Sequence, residues 1–513
     1  MLALAEAEKQ KEPIADDFEA ALQNPETLKS FVVVEGEEEL RRMMAEPLEK
    51  WRVFLHPTQR KLVNKDFTGP ARVLGGAGTG KTVVAMHRAK YLASKIKDKE
   101  KVLFTTFTTN LVSDIQANLK KICTLPELRS IEVINLDAWV AQFLKERGFN
   151  AKIIYGDDVK KLWEDAVALS GTDFLDAVFY QDEWNRIVLA QEAMTLESYI
   201  RAKRNGRGTR LDRKMRMQVW GVFEAYQRLM KEKQVRDANT AMYECRMILA
   251  NSNAKPVYSS IIVDEGQDLS DNAYRLLRAL AGEEHTNDLF IVGDTHQRIY
   301  KYHAVLSKCG INIRGRSSVL RINYRTTEET RKYAFALLQG IPFDDMDEET
   351  DSGDKCRSLM HGEKPEVKFF PNAEDEFAYL LAEIKRLKEA DVSLSNICIV
   401  ARTNPILDSY IEQFTANGIR TYKIKTNKLD DRNYEGLRFA TMHRVKGLEF
   451  RYVFIVSVNN RIVPLYSAID RTDQVSIAET TTAERCLLYV ALTRAQKAAT
   501  ITSYGKKSEF LVN

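Results

Sequence analysis

Residues 73–82 read VLGGAGTGKT, and within them Gly75, Gly80, Lys81 and Thr82 have the spacing of a phosphate-binding loop, G-x-x-x-x-G-K-T. The chemistry requires these residue types. Glycines let the backbone turn tightly, so that N–H groups around Gly76, Gly78, Thr79 and Gly80 point at phosphate oxygens. A helix opening at the loop adds partial positive charge. Lys81 then reaches the β- and γ-phosphates, and the Thr82 hydroxyl can hold Mg²⁺. A nucleotide-hydrolysing site needs a second half, an acidic pair at the end of a buried strand. IIVDEGQD (261–268) supplies one. Asp264 is the expected Mg²⁺ partner, and Glu265 the expected base for the attacking water.

These residues need a scaffold, and the apolar pattern describes it. RVLGG (72–76), KVLFTT (101–106), IEVINL (131–136), SSIIVDE (259–265) and DLFIVGD (288–294) read as buried strands, most of them followed by segments of helical spacing. Such alternation predicts an α/β fold with a parallel sheet. Residues 151–250 break the pattern. They are helix-rich, carry Trp163, Trp184 and Trp220, and read as an insertion. A second alternating series follows: VKFF, NICIVA, TYKI, LRFATM and YVFIVSV, with helices between. The expected units are therefore 51–150 with 251–310, then 151–250 as the insertion, then 311–513, preceded by an acidic segment at 1–50.

Composition narrows the setting. At 513 residues the chain is long enough for several cores. No apolar run approaches the roughly 18 residues that span a bilayer. The N-terminus lacks the pattern of a secretory signal, so a cytoplasmic protein without membrane attachment is expected. Six scattered cysteines form no CxxC pair and argue against disulfide or metal frameworks. The net charge of +4 neither demands nor excludes nucleic acid. Locally, RAKRNGRGTRLDRKMR (201–216) is strongly basic. It reads either as a solvated face or, through Arg204 and Arg207, as a contact to nucleic-acid phosphates.

Eight motifs occur in a fixed order: HPTQRKLV (56–63), GGAGTGKT (75–82), FTTFTTNL (104–111), VDEGQD (263–268), VGDTHQRIY (292–300), INYRTT (322–327), ATMHRVKGLEF (440–450) and YVALTRA (489–495). Over residues 51–505 the chain resembles superfamily 1 helicases of the UvrD/Rep/PcrA group. The resemblance implies two RecA-like domains in tandem, a helical 1B insertion, and ATP-driven 3′→5′ movement on single-stranded DNA with unwinding of tailed duplex DNA. It also implies roles for residues at matching positions. Gln59 would read the adenine edge and Tyr324 would stack on the base. Glu449 would contact the ribose, and Gln297 would sense the γ-phosphate. Arg325 and Arg494 would reach that phosphate from the second domain. Phe107, Asn110, Tyr300, Tyr302 and His443 would contact the DNA strand.

Several positions depart from the family's pattern. Tyr302-His303 stands where a Trp-Arg pair is usual, Val83 where an arginine often follows GKT, and NLDAW (135–139) where the motif usually has a histidine. TYKI (421–424) reaches LRFATM (437–442) through about a dozen residues, too few for the family's mobile 2B subdomain. That shortening leaves a second class open, a nucleic-acid-stimulated regulatory ATPase acting beside a protein partner in a repair or defence complex, where it would gate a nuclease.

Overall fold

The computed structural model describes residue 53 and residues 55–511, apart from 97–99, 108, 173, 205–206, 252–257, 301–303, 348–355, 426–430, 432–433 and 472. The acidic segment at 1–50 lies outside the described residues.

The strands in chain order are β1 (Ala71–Gly75), β2 (Lys101–Thr106), β3 (Ile131–Asn135), β4 (Lys152–Ile154), β5 (Val235–Asp237), β6 (Tyr258–Asp264), β7 (Leu289–Gly293) and β8 (Ser317–Leu320). All but β4 and β5 form one six-stranded sheet in the order β3-β2-β6-β7-β1-β8, with every pair parallel. β1 and β7 are buried along their whole length; β7 accordingly reads as an unbroken apolar run, and in β1 the buried Arg72 pairs with Asp345. β8 pairs with β1 in register Arg72↔Ser317 to Gly75↔Leu320. This corrects the expected boundary at 310: the first sheet takes its edge strand from beyond it. The cause is topological, since β8 completes the edge beside the phosphate loop.

The second domain holds β9 (Ile322–Thr327), β10 (Arg357–Met360), β11 (Glu366–Phe370), β12 (Ile397–Ala401), β13 (Thr421–Lys423), β14 (Leu437–Thr441), β15 (Phe450–Ile455) and β16 (Ala495–Tyr504). β9 and β10 pair apart, and the rest form a parallel sheet in the order β11-β16-β15-β12-β14-β13. β13 and β14 are direct neighbours, joined by residues 424–436. A connection of that length holds no folded domain.

Between β3 and β6 the chain forms helices with a core of their own. Trp163 stacks on Tyr226 at 3.6 Å between ring centres, and Trp184 packs edge-on against Phe223. The paired strands β4 and β5 close this layer. At its heart is Glu183, fully buried. It accepts from Arg204 Nε at 2.5 Å, Arg207 Nε at 3.1 Å and the Tyr199 hydroxyl at 3.0 Å. Arg204 and Arg207 are themselves more than nine-tenths buried. The expectation that they meet DNA phosphates is therefore corrected: their charge is spent on a carboxylate inside the fold. Removing one partner of such a cluster leaves uncompensated buried charge, which costs about 3–5 kcal/mol. Glu183→Ala is expected to lower the melting temperature sharply, read by calorimetry or circular dichroism. An unchanged melting curve would show the cluster to be dispensable.

The helical layer also rests on the second domain. Arg186 makes two bonds to Glu479, at 3.1 and 2.8 Å, and Thr209 Oγ1 donates to Asp473 at 3.4 Å. Asp473 caps the helix Gln474–Leu492, which runs on to Arg494. Among the described residues no helix is long and apolar enough to cross a membrane.

Candidate functional site

The phosphate loop follows β1 and opens the helix Lys81–Ala93. Gly78 and Gly80 both have positive φ, 74° and 81°, where a side chain would strain the turn. At Gly78 a Cβ would also collide with the Asn323 carboxamide. Lys81 Nζ donates to the Gly75 and Gly76 carbonyls at 2.8 and 2.9 Å and stands 3.7 Å from Asp294. The lysine is thus held over its own loop, at the place a phosphate would enter.

Thr82 Oγ1 donates to Asp264 Oδ2 at 2.8 Å. These are the two side chains that would hold Mg²⁺ beside the loop, both offering the oxygen ligands that ion prefers. Among the described residues no group of three or more His, Cys, Asp or Glu side chains could hold a metal ion. Burial, reinforced by the neighbouring Glu265, pushes the Asp264 carboxyl up to about 7. Glu265 goes the other way. Burial opposes ionisation, but Lys446 and Lys81 hold it below its usual range. It sits at φ 55°, a strained backbone that turns its carboxylate out of the strand. Gln267 Nε2 donates to that carboxylate at 2.6 Å, and Gln267 Oε1 accepts from the Asp294 N–H at 2.9 Å.

Three side chains bridge the domains at this point. Arg494 Nη2 donates to Gln297 Oε1 at 3.0 Å, and Gln297 Nε2 donates to Asp294 at 2.7 Å. Lys446, buried, pairs with Asp268, stands 3.5 Å from Glu265 and donates to the Gln297 carbonyl at 3.0 Å. Arg325 pairs with Glu449 beside the same cleft. Lys81, Thr82, Glu265, Gln297, Arg325, Glu449 and Arg494 all line one cavity together with Val83. Val83 itself is buried in the first domain's core.

The expected adenine side is more occupied than its motif suggests. Gln59 Oε1 accepts from His56 N–H at 3.2 Å, and its Nε2 donates to the Thr79 carbonyl at 3.0 Å. One lone pair on Oε1 and one N–H on Nε2 remain to meet a purine edge. Tyr324 N–H donates to the Gly78 carbonyl at 3.1 Å, so β9 docks directly on the phosphate loop. Its ring lies 5.4 Å from that of His56.

On the opposite side, Phe107 and Tyr300 lie 4.8 Å apart, and His443 is 6.4 Å from Tyr300. Phe107 packs on the first core and Tyr300 on the second, so this aromatic row crosses between domains. Burial, with the Arg402 charge nearby, lowers the His443 imidazole to about 4, so it meets a ligand as a neutral ring. Tyr302 and the side chain of Asn110 lie outside the described residues, as does His303.

Four contributors have roles that the motif reading does not assign. Lys446 ties Glu265 and Asp268 to the second domain. Asn323 accepts from the Arg325 and Thr326 N–H groups and shapes the turn on the loop. Asp294 holds Lys81 and Gln297; a carboxylate ending the buried run LFIVGD was a signal for it. Asn135 caps the helix Leu136–Glu146 and donates to the Phe107 carbonyl at 2.6 Å, steadying the aromatic row.

Comparison with known proteins places this arrangement. Residues 55–307 match the UvrD/REP helicase N-terminal domain, and residues 318–435 and 430–506 match the UvrD-like helicase C-terminal domain. The chain is 23% identical over 479 residues to a probable DNA helicase of Mycoplasma pneumoniae, covering 88% of this chain and 84% of that one. It is 22% identical to a probable DNA helicase II homolog of Mycoplasma genitalium, over 67% of this chain and 52% of that one. It is 24% identical to the ATP-dependent DNA helicase UvrD2 of Mycobacterium bovis, over 70% of this chain and 53% of that one. The matched region thus spans most of the first relative and about half of the other two.

Proposed function

Because the chain belongs to the UvrD-like helicase family, we propose that it is an ATP-dependent DNA helicase that moves 3′→5′ along single-stranded DNA. ATP is hydrolysed in the cleft between the two parallel-sheet domains. The observation that carries this reading is the Arg494–Gln297 bond, which joins the domains at the phosphate loop. An arginine delivered from one domain to a nucleotide held by the other makes closure and hydrolysis depend on each other.

The residues divide the work. The loop backbone and Lys81 bind the phosphates once Lys81 leaves the Gly75 and Gly76 carbonyls. Glu265, kept ionised by Lys446 and Lys81, accepts the proton of the attacking water. Arg325 and Arg494 stabilise charge on the transferring phosphoryl group. Thr82 and Asp264 would hold Mg²⁺, which would neutralise charge on the nucleotide's phosphates. Gln59 and Tyr324 would hold the base, and Glu449 the ribose. Gln297 touches Asp294, Arg494 and Lys446, so it can relay the nucleotide's state toward the aromatic row. Phe107, Tyr300 and His443 would stack bases, the sequence-tolerant mode of single-strand binding.

The test is polarity. On duplexes carrying a single 3′ or 5′ tail, ATP-dependent strand separation is expected on the 3′-tailed substrate alone. Equal separation of both, or separation of the 5′-tailed one, would overturn the direction. ATP hydrolysis with no separation on either would overturn unwinding.

A further inference from the structure

We propose that the single strand continues past His443 along the C-terminal edge of the second sheet onto a built phosphate clip, Arg461 and Arg471 held about Tyr466. This rests on the strand-binding reading above and extends its site to residues that no motif contains.

The sheet order sets the route. All its strands are parallel, so their C-terminal ends form one rim, where open α/β sheets bind ligands. His443 follows β14. The next strand is β12, followed by Arg402, and then β15, followed by the loop 456–473. Neighbouring strands lie about 4.8 Å apart, so β14 to β15 is about 10 Å along the rim. From Arg402 to the loop the positions are also bonded in series. Arg402, whose charge bears on His443, makes two bonds to Glu484, and Glu484 accepts the Leu465 N–H at 2.9 Å. Tyr466 is the next residue.

Tyr466 is half exposed, and two guanidiniums lie close to its ring, Arg461 at 4.2 Å and Arg471 at 3.8 Å from the ring centre. The loop holds them there. Tyr466 N–H donates to the Arg461 carbonyl at 3.0 Å, and Arg471 Nη1 donates to the Tyr466 and Ile469 carbonyls at 2.7 and 3.0 Å. Two like charges are gathered against one ring on an exposed loop. Asn460 N–H donates to the Lys506 carbonyl, which brings the end of β16 and a further exposed lysine beside the loop.

Contrast decides the reading. Arg204, Arg207, Arg186 and Arg402 each face a carboxylate. Among the described residues neither Arg461 nor Arg471 has an ion-pair partner, and both are exposed. The tyrosine holds both guanidiniums against its half-exposed ring, lowering the ordering cost of meeting phosphates. Two guanidiniums without a carboxylate partner match backbone phosphate in charge.

The experiment compares single-stranded oligothymidines of about 20 and about 6 nucleotides by fluorescence anisotropy, the shorter reaching only the aromatic row. The variants are Arg461→Glu/Arg471→Glu and the milder Arg461→Gln/Arg471→Gln, with Arg461→Lys/Arg471→Lys retaining charge. Either charge-removing variant is expected to weaken the long oligonucleotide about tenfold or more at low salt. The dependence of log affinity on log salt should become shallower by about 1.4, the value for two phosphates on a single strand. Affinity for the short oligonucleotide, DNA-free ATPase activity and melting temperature should hold, and the lysine variant should bind the long one nearly as well as the parent. Unchanged affinity and salt slope for the long oligonucleotide in a folded variant would overturn the clip. Equal losses on both lengths would overturn the route. If the parent binds neither oligonucleotide, the strand-binding reading itself fails, which is a separate and visible result.

Discussion

Arg494→Ala is expected to lower DNA-stimulated ATP turnover by about 10³-fold, with DNA binding in the absence of nucleotide nearly unchanged. The magnitude follows from what an arginine supplied to a transferring phosphoryl group contributes, roughly 10³–10⁵ in rate. The geometry explains why nothing nearby can substitute. The guanidinium is buried in the cleft, with Nε donating to the Val490 carbonyl at 3.0 Å and Nη2 to Gln297 at 3.0 Å. Its orientation is set by the helix it follows, so charge and direction arrive together. Arg494→Lys should recover little, because an ammonium cannot make both bonds from one planar fork. Steady-state ATPase measurements with and without single-stranded DNA decide the matter, alongside thermal melting to exclude loss of fold. Full DNA-stimulated activity in the alanine variant would remove the two-domain mechanism.

The second large effect concerns Glu265. Glu265→Gln keeps the shape and the bond from Gln267 in reach but removes the proton acceptor. Turnover is expected to fall by about 10²–10⁴, the range for a general base, with the KM for ATP moving by less than about threefold. Such a split identifies an interaction used only in the transition state. Lys446 gives a reason to expect a stable variant: it retains Asp268 as its partner, so no buried cation is left unpaired. A variant that binds ATP poorly, with turnover at saturation preserved, would move Glu265 from chemistry to nucleotide binding.

Much of this site was legible in the chain because its parts are local. A phosphate loop works through consecutive backbone groups, so Gly75 to Thr82 carry their geometry in their spacing. The carboxylates of IIVDEGQD announce themselves the same way, as charge at the end of a run too apolar to be anything but a buried strand. Lys446 and Asn323 were not legible as to role. Each acts on a group far along the chain, and a lone lysine or asparagine in a polar turn carries no mark of its partner. Gln59 was legible as a motif residue, but its bonds to His56 and Thr79 were not, since backbone acceptors leave no trace in residue type.

The basic residues show where the division falls. From the sequence alone, RAKRNGRGTRLDRKMR was the strongest positive run and the natural place to seek phosphates. What a cation does, however, depends on its nearest carboxylate and on whether water reaches it. Glu183 precedes that run in the chain but sits inside it in space, so Arg204 and Arg207 became core. Arg461 and Arg471 are isolated in the sequence, and only folding gathers them against Tyr466 on the rim of the second sheet. The sequence by itself determined the phosphate loop, the acidic pair, the α/β architecture and the family, because each is written in contiguous residues. The tertiary structure alone decided which positive charges remain free, which side chains join the two domains, and where the first sheet ends, because those depend on neighbours that only the folded chain brings together.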